Sequence, residues 1–511
     1  LELVVQAPRP ADGLSDLDRL RRSLSRALDG RVPEVPLRVL RALPEALRAA
    51  DGRVTLSLAG DDASLRVVDC IGGRAQVPAL GIAVDLGTTT IAVQLIDLES
   101  GKVLATRNGY NAQIACGLDV ISRINYAARP ERLEDLRIRA VDSINRLFLE
   151  AAADAGVAPS DAVCGRISGN TVMMHLLLGV KPEYIRLDPY VPAVLSVAHL
   201  TAKELGLALN PDAMISFSPC VGSYVGGDIT AGLLITDLVR DREDIALFLD
   251  VGTNGEIVAG NRDFLMACAC SAGPAFEGGG IENGMRATVG AIDHVTIDRA
   301  SGRATYTVIG GGLPAGICGS GLIDLLSGLF LSGWLDPAGR FERSRKSAHI
   351  RIDGRRASYI LAAEGQTLSG TAILISENDI ENLMRAKAAI YAAAALMLEQ
   401  AGLGFDSLGA FYVAGGFGRR LNLDNAISIG LLPDIDPERF FYLGNASLEG
   451  TRLALLSREH RDLQKAAAER MTYLDLSALP GYMDHYTAAL FLPHTDLGRF
   501  PRQRTRLRGG V

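Results

Sequence analysis

One stretch of the chain decides its fold: Gly81-Ile-Ala-Val-Asp85-Leu-Gly87-Thr88-Thr89-Thr90-Ile-Ala-Val-Gln-Leu-Ile96. Apolar and β-branched residues on both sides of a short polar segment predict two buried strands, 82–84 and 91–96, joined by a tight turn. A glycine in such a turn lets backbone N–H groups approach an anion, and threonine hydroxyls add donors. The carboxylate of Asp85 at the strand end is a ligand type that suits Mg²⁺. The stretch therefore has the parts of a phosphate-binding turn, although Asp-x-Gly-Thr also occurs in ordinary hairpins.

A second copy of this pattern lies later in the chain, at Phe248-Leu-Asp250-Val-Gly252-Thr253-Asn254-Gly255-Glu256. A third motif, Phe411-Tyr-Val-Ala-Gly415-Gly416-Phe417-Gly418, is an apolar strand that ends in glycines. Such glycines let a flat adenine or ribose lie against the main chain. In this order the motifs resemble the two phosphate motifs and the adenosine motif of the actin, Hsp70 and sugar-kinase (ASKHA) superfamily. The resemblance implies two duplicated half-domains whose turns bind the same phosphates from opposite sides.

Composition limits the classes to which the protein can belong. The 511 residues are 48% hydrophobic and 22% charged, which is enough for two or three globular domains. The formal net charge of −7 does not suggest nucleic-acid binding. The longest apolar runs are short and interrupted, and the alanine-rich run at 390–398 is too short to cross a bilayer, so no membrane partner is expected.

The seven cysteines are scattered and lie mostly in apolar surroundings, which is typical of buried thiols in a reducing cytoplasm. The Cys268-x-Cys270 pair is too close for zinc and does not match ferredoxin cluster spacings, so packed thiols are expected there. No signal peptide opens the sequence, and a cytoplasmic location is expected. Because the first residue is leucine, we expect that processing or truncation removed the original start.

The order of elements predicts an α/β protein with a duplicated ribonuclease-H-like fold behind a small α+β domain. Four domains are expected: the small domain 1–78, the first ASKHA half 79–240, the second ASKHA half 241–460 and a C-terminal extension 461–511. The expected role of the small domain is connection or dimerisation. Polar residues run through a loop into a helix between 108 and 126. They carry no assigned chemistry.

Three further stretches are candidate ligand contacts. Gly169-Asn170 ends a predicted strand and opens a helix. Gly319-Ser320-Gly321 precedes a helix whose N-terminus would present N–H groups to an anion or ribose, although a simple capped turn has the same pattern. Asp228 follows two glycines at a helix start, where it is either an ordinary cap or a carboxylate that faces the nucleotide cleft.

The whole set of motifs resembles the reductive activators of corrinoid methyltransferase systems, from about residue 80 onward. The motifs are Asp85-Leu-Gly-Thr-Thr-Thr, Ser168-Gly-Asn-Thr, Asp250-Val-Gly-Thr-Asn-Gly-Glu, Cys318-Gly-Ser-Gly-Leu, Ala414-Gly-Gly-Phe-Gly, Gly444-Asn-Ala-Ser-Leu-Glu-Gly and Tyr486-Thr-Ala-Ala-Leu-Phe-Leu-Pro-His-Thr-Asp. The resemblance implies an ATPase that binds a corrinoid protein in its inactive Co(II) state. ATP binding and hydrolysis would drive the uphill electron transfer that restores Co(I).

The resemblance also implies the site residues. Mg²⁺ would be held through water by Asp85 and Asp250, and the attacking water would be positioned by Asp85, Asp250 or Glu256, among which the sequence does not choose. The expected nucleotide-binding residues are Gly87, Thr88, Thr89, Thr90, Gly169, Asn170, Gly252, Thr253, Asn254, Gly319, Ser320, Gly321, Gly415, Gly416 and Phe417.

The family's [2Fe–2S] domain, with its four cysteines, is not among these residues. Either it was removed, or electrons come from a separate donor such as ferredoxin or flavodoxin. The alternatives on the same fold are a small-molecule kinase and a nucleotide-switched binding module of the Hsp70 kind. The activators of 2-hydroxyacyl-CoA dehydratases share the pattern around Cys318 but are much shorter.

Overall fold

The computed structural model describes residues 1–9, 13–61, 64–74, 78–252, 254–354, 356–416 and 421–508. By internal contacts the chain divides into two compact units, which are described separately below. Unit 1 is Leu1–Leu234 with Ser447–Glu469, and unit 2 is Ile235–Ala446 with Arg470–Val511. The four domain spans expected from the sequence stay predictions.

The strands, in chain order, are β1 Glu2–Val4, β2 Arg53–Ala59, β3 Arg66–Gly72, β4 Leu80–Leu86, β5 Thr90–Asp97, β6 Val103–Tyr110, β7 Ala162–Gly169, β8 Leu200–Thr201, β9 Met214–Phe217, β10 Ile245–Val251, β11 Gly255–Gly260, β12 Leu265–Cys270, β13 Ala291–Ile297, β14 Ala304–Val308, β15 Gly316–Ile317, β16 Ile350–Asp353, β17 Arg356–Ala362, β18 Ile373–Ser376, β19 Leu408–Gly415, β20 Phe440–Gly444 and β21 Met471–Tyr473. The α-helices are α1 Asp16–Ala27, α2 Leu37–Ala49, α3 Val120–Tyr126, α4 Pro130–Ala155, α5 Thr171–Leu178, α6 Ala202–Leu205, α7 Gly227–Gly232, α8 Gly319–Leu331, α9 Glu377–Gln400, α10 Leu423–Ser428, α11 Ala446–Leu456, α12 Arg458–Arg470, α13 Tyr482–Ala489 and α14 Pro501–Arg508.

The N-terminal part of unit 1 is the small α+β arrangement that the sequence predicts. Its sheet has the order β1-β2-β3, with α1 and α2 packed on it. Leucines at helical spacing, among them Leu20, Leu24 and Leu43, are fully buried in this core. The helical period of these leucines therefore sets which face of each helix packs inward.

The main sheet of unit 1 has the order β6-β5-β4-β7-β9-β8. β4, β5 and β6 form an antiparallel meander, whereas β7 runs parallel to β4 and β9 runs parallel to β7. Ile82 and Val84 of β4 belong to one core cluster, together with α4, and Ala83 belongs to another, together with Leu448 of α11. Since alternate strand residues point to opposite faces, helices cover both faces of this sheet.

Five strands of the main sheet of unit 2 repeat this topology, whereas the sixth strand lies at the opposite edge. The strand order is β20-β19-β10-β11-β12-β21, in which β10, β11 and β12 form the meander. β19 is parallel to β10, and β20 is parallel to β19. The long helix α9, which is buried along most of its length, and α8 share one large core cluster with the sheet. The predicted duplicated α/β fold with a smaller N-terminal domain is confirmed.

Two smaller features complete the fold. The arginine-rich C-terminal stretch forms the helix α14. Over the described ranges, no helix is both long enough and apolar enough to cross a membrane.

Candidate nucleotide site

Three parallel strands of unit 1 end at the same edge of the sheet. β4 pairs with β7, which in turn pairs with β9, and Asp85 lies opposite Ser168 in this register. The segments that follow these strands therefore leave from one edge: turn 87–89 after β4, Asn170 after β7, and the loop before α7 after β9. The carboxyl ends of parallel strands are where α/β sheets bind ligands.

The first turn is held by a side chain from the end of β7. Asn170 Nδ2 donates to Thr88 Oγ1 at 2.9 Å, while the Asn170 side-chain oxygen caps α5. Thr88 is buried, Thr89 is half-buried and Thr90 is exposed at the start of β5. A Cβ on Gly87 would lie 2.5 Å from the carbonyl oxygen of Thr90, so the tight turn requires glycine here. The structure thus brings the predicted Gly87, Thr88 and Asn170 together.

Glycines also set how closely the neighbouring segments approach. Gly169 lies opposite Leu86, and a Cβ on it would lie 2.7 Å from the Leu86 carbonyl oxygen. A Cβ on Gly226 would lie 2.3 Å from Cα of Asn170, which places the loop after β9 directly against the end of β7. The role that the structure gives Gly169 is this close packing, and its contact with a nucleotide stays a prediction.

Two carboxylates of unit 1 interact electrostatically. Asp85 is half-buried, and Ser447 Oγ donates to its Oδ1 at 2.7 Å. Asp228, the second residue of α7, is partly buried and accepts a hydrogen bond from the N–H of Ile229 at 2.9 Å. Burial, and then the negative charge of Asp85, raise the pKa of Asp228 to about 7. The electrostatic influence of Asp85 on Asp228 indicates that the two side chains lie close together.

This pair requires either a proton or a cation. Two like charges in a partly buried place repel, so one carboxyl takes up a proton unless a positive ligand neutralises both. Oxygen ligands of this kind fit Mg²⁺, which keeps several waters and takes only one or two carboxylates from a protein. Among the described residues no group of three or more His, Cys, Asp or Glu is arranged to hold a metal ion.

The second turn, in unit 2, has the same register. Asp250 of β10 lies opposite Ala414 of the parallel strand β19 and opposite Glu256 of the antiparallel strand β11. Directly opposed residues of an antiparallel pair project from the same face of the sheet, so the Asp250 and Glu256 carboxylates lie on one side. Both residues are half-buried. The turn is closed by a hydrogen bond from the Gly252 N–H to the Asn254 carbonyl oxygen at 2.9 Å.

The glycines at the end of β19 lie beside Asp250. Gly415 has φ +103°, and a Cβ on it would lie 2.3 Å from the Val251 carbonyl oxygen and 3.0 Å from Oδ1 of Asp250. Gly416 has open space, with nothing within 4 Å of a Cβ built on it. The predicted Gly415 and Asp250 are therefore neighbours. Thr253 and Phe417 lie outside the described residues.

The predicted Gly319-Ser320-Gly321 site has a structural explanation. These residues begin α8, where Ser320 is buried and its hydroxyl donates to the Asp293 carbonyl oxygen at 2.8 Å. A Cβ on Gly321 would lie 2.6 Å from the carbonyl oxygen of Ile292. The small residues thus allow α8 to pack closely on β13, and a ligand contact here stays a prediction.

The Cys268 and Cys270 thiols are packed in the core. Cys268 is fully buried, and burial raises its pKa to about 12. Burial also raises the pKa of Cys270 well above its usual value. These shifts keep both groups as neutral thiols, which agrees with the expected packing role.

Sequence reasoning left one residue out of the site and another undecided. For Asp228 it left two roles open, an ordinary helix cap or a carboxylate that faces the nucleotide cleft. The feature that favours a site role is its position at the start of α7, after the loop that leaves β9 at the same sheet edge as β4. Ser447 is distant in sequence and reaches Asp85 because Ser447–Glu469 returns to unit 1. The sequence gives no local signal for that return.

Comparisons with known proteins match the chain along nearly its whole length. The family description "C-terminal domain of RACo the ASKHA domain" matches residues 244–504, the RACo middle region matches 80–241, and the RACo linker region matches 1–76. The chain is 34% identical to the corrinoid activation enzyme RamQ of Eubacterium limosum, over 82% of this chain and 72% of that protein.

Two further relatives agree with this match. A [Co(II) methylated amine-specific corrinoid protein] reductase of Methanosarcina barkeri is 27% identical over 77% of this chain and 73% of its own. The solved structure of a reductive activator for corrinoid, iron–sulfur protein superposes with a TM-score of 0.91 at 44% identity. That superposition covers 98% of this chain and 80% of the other.

Proposed function

This chain belongs to the RACo family of reductive activators of corrinoid proteins, and we propose that it is an ATPase that returns a corrinoid protein from inactive Co(II) to active Co(I). The observation that carries the proposal is the repeated aspartate turn. In each unit the aspartate is the penultimate residue of a central strand, one residue before the point where the parallel neighbour strand ends in a glycine, Gly169 or Gly415. This family and this duplicated arrangement support nucleotide binding.

In the proposal each of the two turns carries defined nucleotide-binding groups. In unit 1 the backbone of the turn and the Thr88 hydroxyl, oriented by Asn170, bind phosphate oxygens. In unit 2 the turn 252–254 binds phosphate, and Gly415 and Gly416 leave space for the nucleoside. Asp85, with Asp228, and Asp250 would hold Mg²⁺. When bound, Mg²⁺ would neutralise negative charge on the phosphates.

Hydrolysis needs an acceptor for the proton of the attacking water. Asp85 and Asp228 in unit 1, and Asp250 and Glu256 in unit 2, are the carboxylates that lie at the two turns. Because its pKa is raised to about 7, Asp228 is suited to accept and release a proton near neutral pH.

The overall reaction couples two changes: the transfer of one electron to cobalt and the hydrolysis of ATP. The cobalt of the corrinoid protein gains one electron, Co(II) to Co(I), and a reduced donor loses it. ATP and water give ADP and phosphate. The donor is a separate reductant such as ferredoxin or flavodoxin, or an iron–sulfur domain. ATP biases the protein toward one conformational state only if the nucleotide has different affinities for its states.

The direct test is binding of this chain to a Co(II) corrinoid protein from the same cell, measured by calorimetry with and without a non-hydrolysable ATP analogue. We expect binding whose affinity changes when the analogue is added. Asp85→Asn should remove the nucleotide dependence. Asp97→Asn is the matched control, because Asp97 lies at the end of β5 that is distant from the turn, and this variant should bind the corrinoid protein and the nucleotide as wild type does.

Two other outcomes would contradict the proposal. No binding of the corrinoid protein in either state would leave an ATPase without this partner, and a screen of small-molecule phosphate acceptors would then test the kinase alternative. Nucleotide-dependent binding of an unrelated protein, without corrinoid, would favour a nucleotide-switched binding module.

A further inference from the structure

Three polar side chains are completely buried behind the first turn. Asn111, Gln113 and Arg123 each have 0% exposed surface. They belong to the polar stretch 108–126, which passes from a strand end through a short 3-10 turn into α3. Polar groups are costly to bury unless they are hydrogen-bonded, and a buried guanidinium is the most costly of the three. Their burial at this place therefore requires an explanation.

The three side chains form one hydrogen-bonded chain that ends on the turn. Arg123 Nη1 donates to Gln113 Oε1 at 3.0 Å, and the same oxygen accepts from Asn111 Nδ2 at 3.2 Å. Asn111 Nδ2 also donates to the carbonyl oxygen of Gly87 at 3.0 Å. Arg123 and Gln113 are fixed in turn, because Arg123 Nε donates to the Gly117 carbonyl oxygen at 2.9 Å and Gln113 Nε2 to that of Leu136 at 2.8 Å.

Asn111 holds the turn at two points. Its side chain binds the Gly87 carbonyl oxygen, and its backbone N–H donates to the Thr89 carbonyl oxygen at 2.9 Å. In a planar trans peptide the C=O and the following N–H point in opposite directions. Fixing the Gly87 carbonyl toward Asn111 therefore directs the Thr88 N–H to the other side of the turn. The Thr88 hydroxyl is oriented separately by Asn170.

The guanidinium also adds a positive charge behind the turn. Burial lowers the pKa of Arg123 to about 10, so the group remains charged at neutral pH. Within the described ranges Arg123 makes no ion pair, and its Nη2 has no hydrogen-bond partner. The nearby carboxylate of Asp119 caps α3 by accepting from the Ser122 N–H and hydroxyl. The charge of Asp119 interacts with the guanidinium, but these two described side chains form no ion pair, so the buried cation also favours an anion bound nearby.

We propose that Arg123, acting through Gln113 and Asn111, is a positioning residue that orients the first turn and raises its affinity for nucleotide phosphates. This inference rests on the proposed ATP binding. It assigns no contact between Arg123 and the nucleotide. Instead, the hydrogen-bonded chain orients the Gly87–Thr88 peptide, and the buried charge favours the negative phosphates.

The test separates phosphate affinity from general stability. Calorimetry would give dissociation constants for adenosine and for a non-hydrolysable ATP analogue. The ratio of the adenosine constant to the analogue constant measures how much the phosphates contribute to affinity. Arg123→Gln should lower this ratio about tenfold while adenosine affinity stays constant. Arg123→Lys keeps the charge and should restore most of the ratio.

Two further variants keep the test decisive. Gln113→Glu retains an oxygen acceptor for Arg123 and Asn111 but pairs the guanidinium with a carboxylate, so it should lower the ratio even if Arg123→Gln does not fold. Arg19→Gln is the matched control, because Arg19 is also buried but donates to the carbonyl oxygens of Ala7 and Leu14 in the small domain. It should lower the melting temperature without changing the ratio.

The possible results point in distinct directions. An unchanged ratio in Arg123→Gln and Gln113→Glu would overturn the inference and leave the proposed ATP binding intact. Equal losses for adenosine and the ATP analogue, or the same loss in Arg19→Gln, would show a general structural role and would also overturn it. A wild-type chain that binds no nucleotide would contradict both the inference and the proposed function.

Discussion

The two aspartate turns share a register but differ in what supports them. Asp85 and Asp250 are each the penultimate residue of a central strand of a six-stranded sheet, and the parallel neighbour strands end in Gly169 and Gly415. The first turn is supported by the amide side chains of Asn111 and Asn170, and a second carboxylate, Asp228, interacts electrostatically with Asp85. The second turn is closed by its own backbone and by the close approach of Gly415.

This difference shows that one motif can be stabilised in two physical ways. Side-chain hydrogen bonds and buried charge respond to changes in charge, pH and donor chemistry. Close backbone packing responds instead to changes in side-chain volume. We therefore expect both turns to be sensitive to one added methyl group, at Gly87 in the first and at Gly415 beside the second, and the first turn to be sensitive in addition to polar substitutions that keep volume.

The largest expected effect concerns the two aspartates. Asp85→Asn should lower kcat for ATP hydrolysis about 1,000-fold and raise the Mg²⁺ concentration needed for half-maximal rate, because it removes one of a pair of carboxylates. Asp250→Asn should lower kcat with a smaller change in the Mg²⁺ requirement. Steady-state kinetics at several Mg²⁺ concentrations would measure both. Equal shifts in both variants would show that the two turns bind the metal alike.

The next largest effect is expected on stability, when either of the two strand-end glycines is replaced. Gly415→Ala should lower the free energy of unfolding by about 3 kcal/mol, because its φ is positive and the new Cβ would lie 2.3 Å from a carbonyl oxygen. Gly169→Ala should cost less, about 1–2 kcal/mol, since only the 2.7 Å contact is violated. Denaturant unfolding would compare them. A larger loss for Gly169→Ala would contradict the assignment of close packing to the second turn.

A smaller effect is expected at Asn170. Asn170→Asp keeps a good helix cap, so the melting temperature should change little. It loses the donor to Thr88 Oγ1 and adds a negative charge beside the turn, so affinity for an ATP analogue should fall about tenfold. Calorimetry and thermal unfolding on the same samples would check both parts. Full nucleotide affinity in this variant would show that Asn170 only caps α5.

The smallest effect is the pH dependence from Asp228. Its pKa of about 7 in the folded protein lies above the unfolded value of 3.8. The folded protein therefore holds this proton more tightly, and wild type loses stability as pH rises from about 4 through 7. Asp228→Asn lacks this loss and should have a higher melting temperature than wild type at pH 8, with the difference shrinking toward pH 4.

Asp97→Asn is the control of opposite sign. Hydrogen bonds from the N–H groups of Ser100 and Glu99 lower the pKa of Asp97, so wild type gains stability from this group above the unfolded pKa and loses it as pH falls. Asp97→Asn should therefore be less stable than wild type near neutral pH. A parallel response of the two variants would contradict the paired-carboxylate account.

The sequence predicted most of this arrangement through repetition. The Asp-x-Gly-Thr pattern occurs twice between apolar strands, and the glycines after later strands gave Gly169 and Gly415. Sequence patterns are local, so they did not give Ser447, which reaches Asp85 from a distant helix. Sequence patterns also did not show whether Asp228 is a site carboxylate or an ordinary helix cap. They did not show whether Ser320 packs against β13 or contacts a ligand.

Burial was the other property that the sequence did not show. Arginine in a helix is usually exposed at the surface, and only the fold shows that Arg123 lies fully buried behind the first turn. Long side chains with charged ends are usually exposed, so a single sequence favours that reading. The hydrogen-bonded chain to Gly87 depends on three segments brought together by the β4–β5–β6 meander.

The most direct test of the proposed activity is Co(I) formation. The corrinoid protein in the Co(II) state, this chain and a reduced ferredoxin or flavodoxin would be mixed without oxygen, and the corrinoid absorption spectrum would be followed with ATP, with ADP and with the Asp85→Asn variant. We predict Co(I) with ATP and wild-type chain only, with phosphate release in parallel. Co(I) formation at the same rate without ATP, or ATP hydrolysis unaffected by the corrinoid protein and without Co(I), would contradict the account.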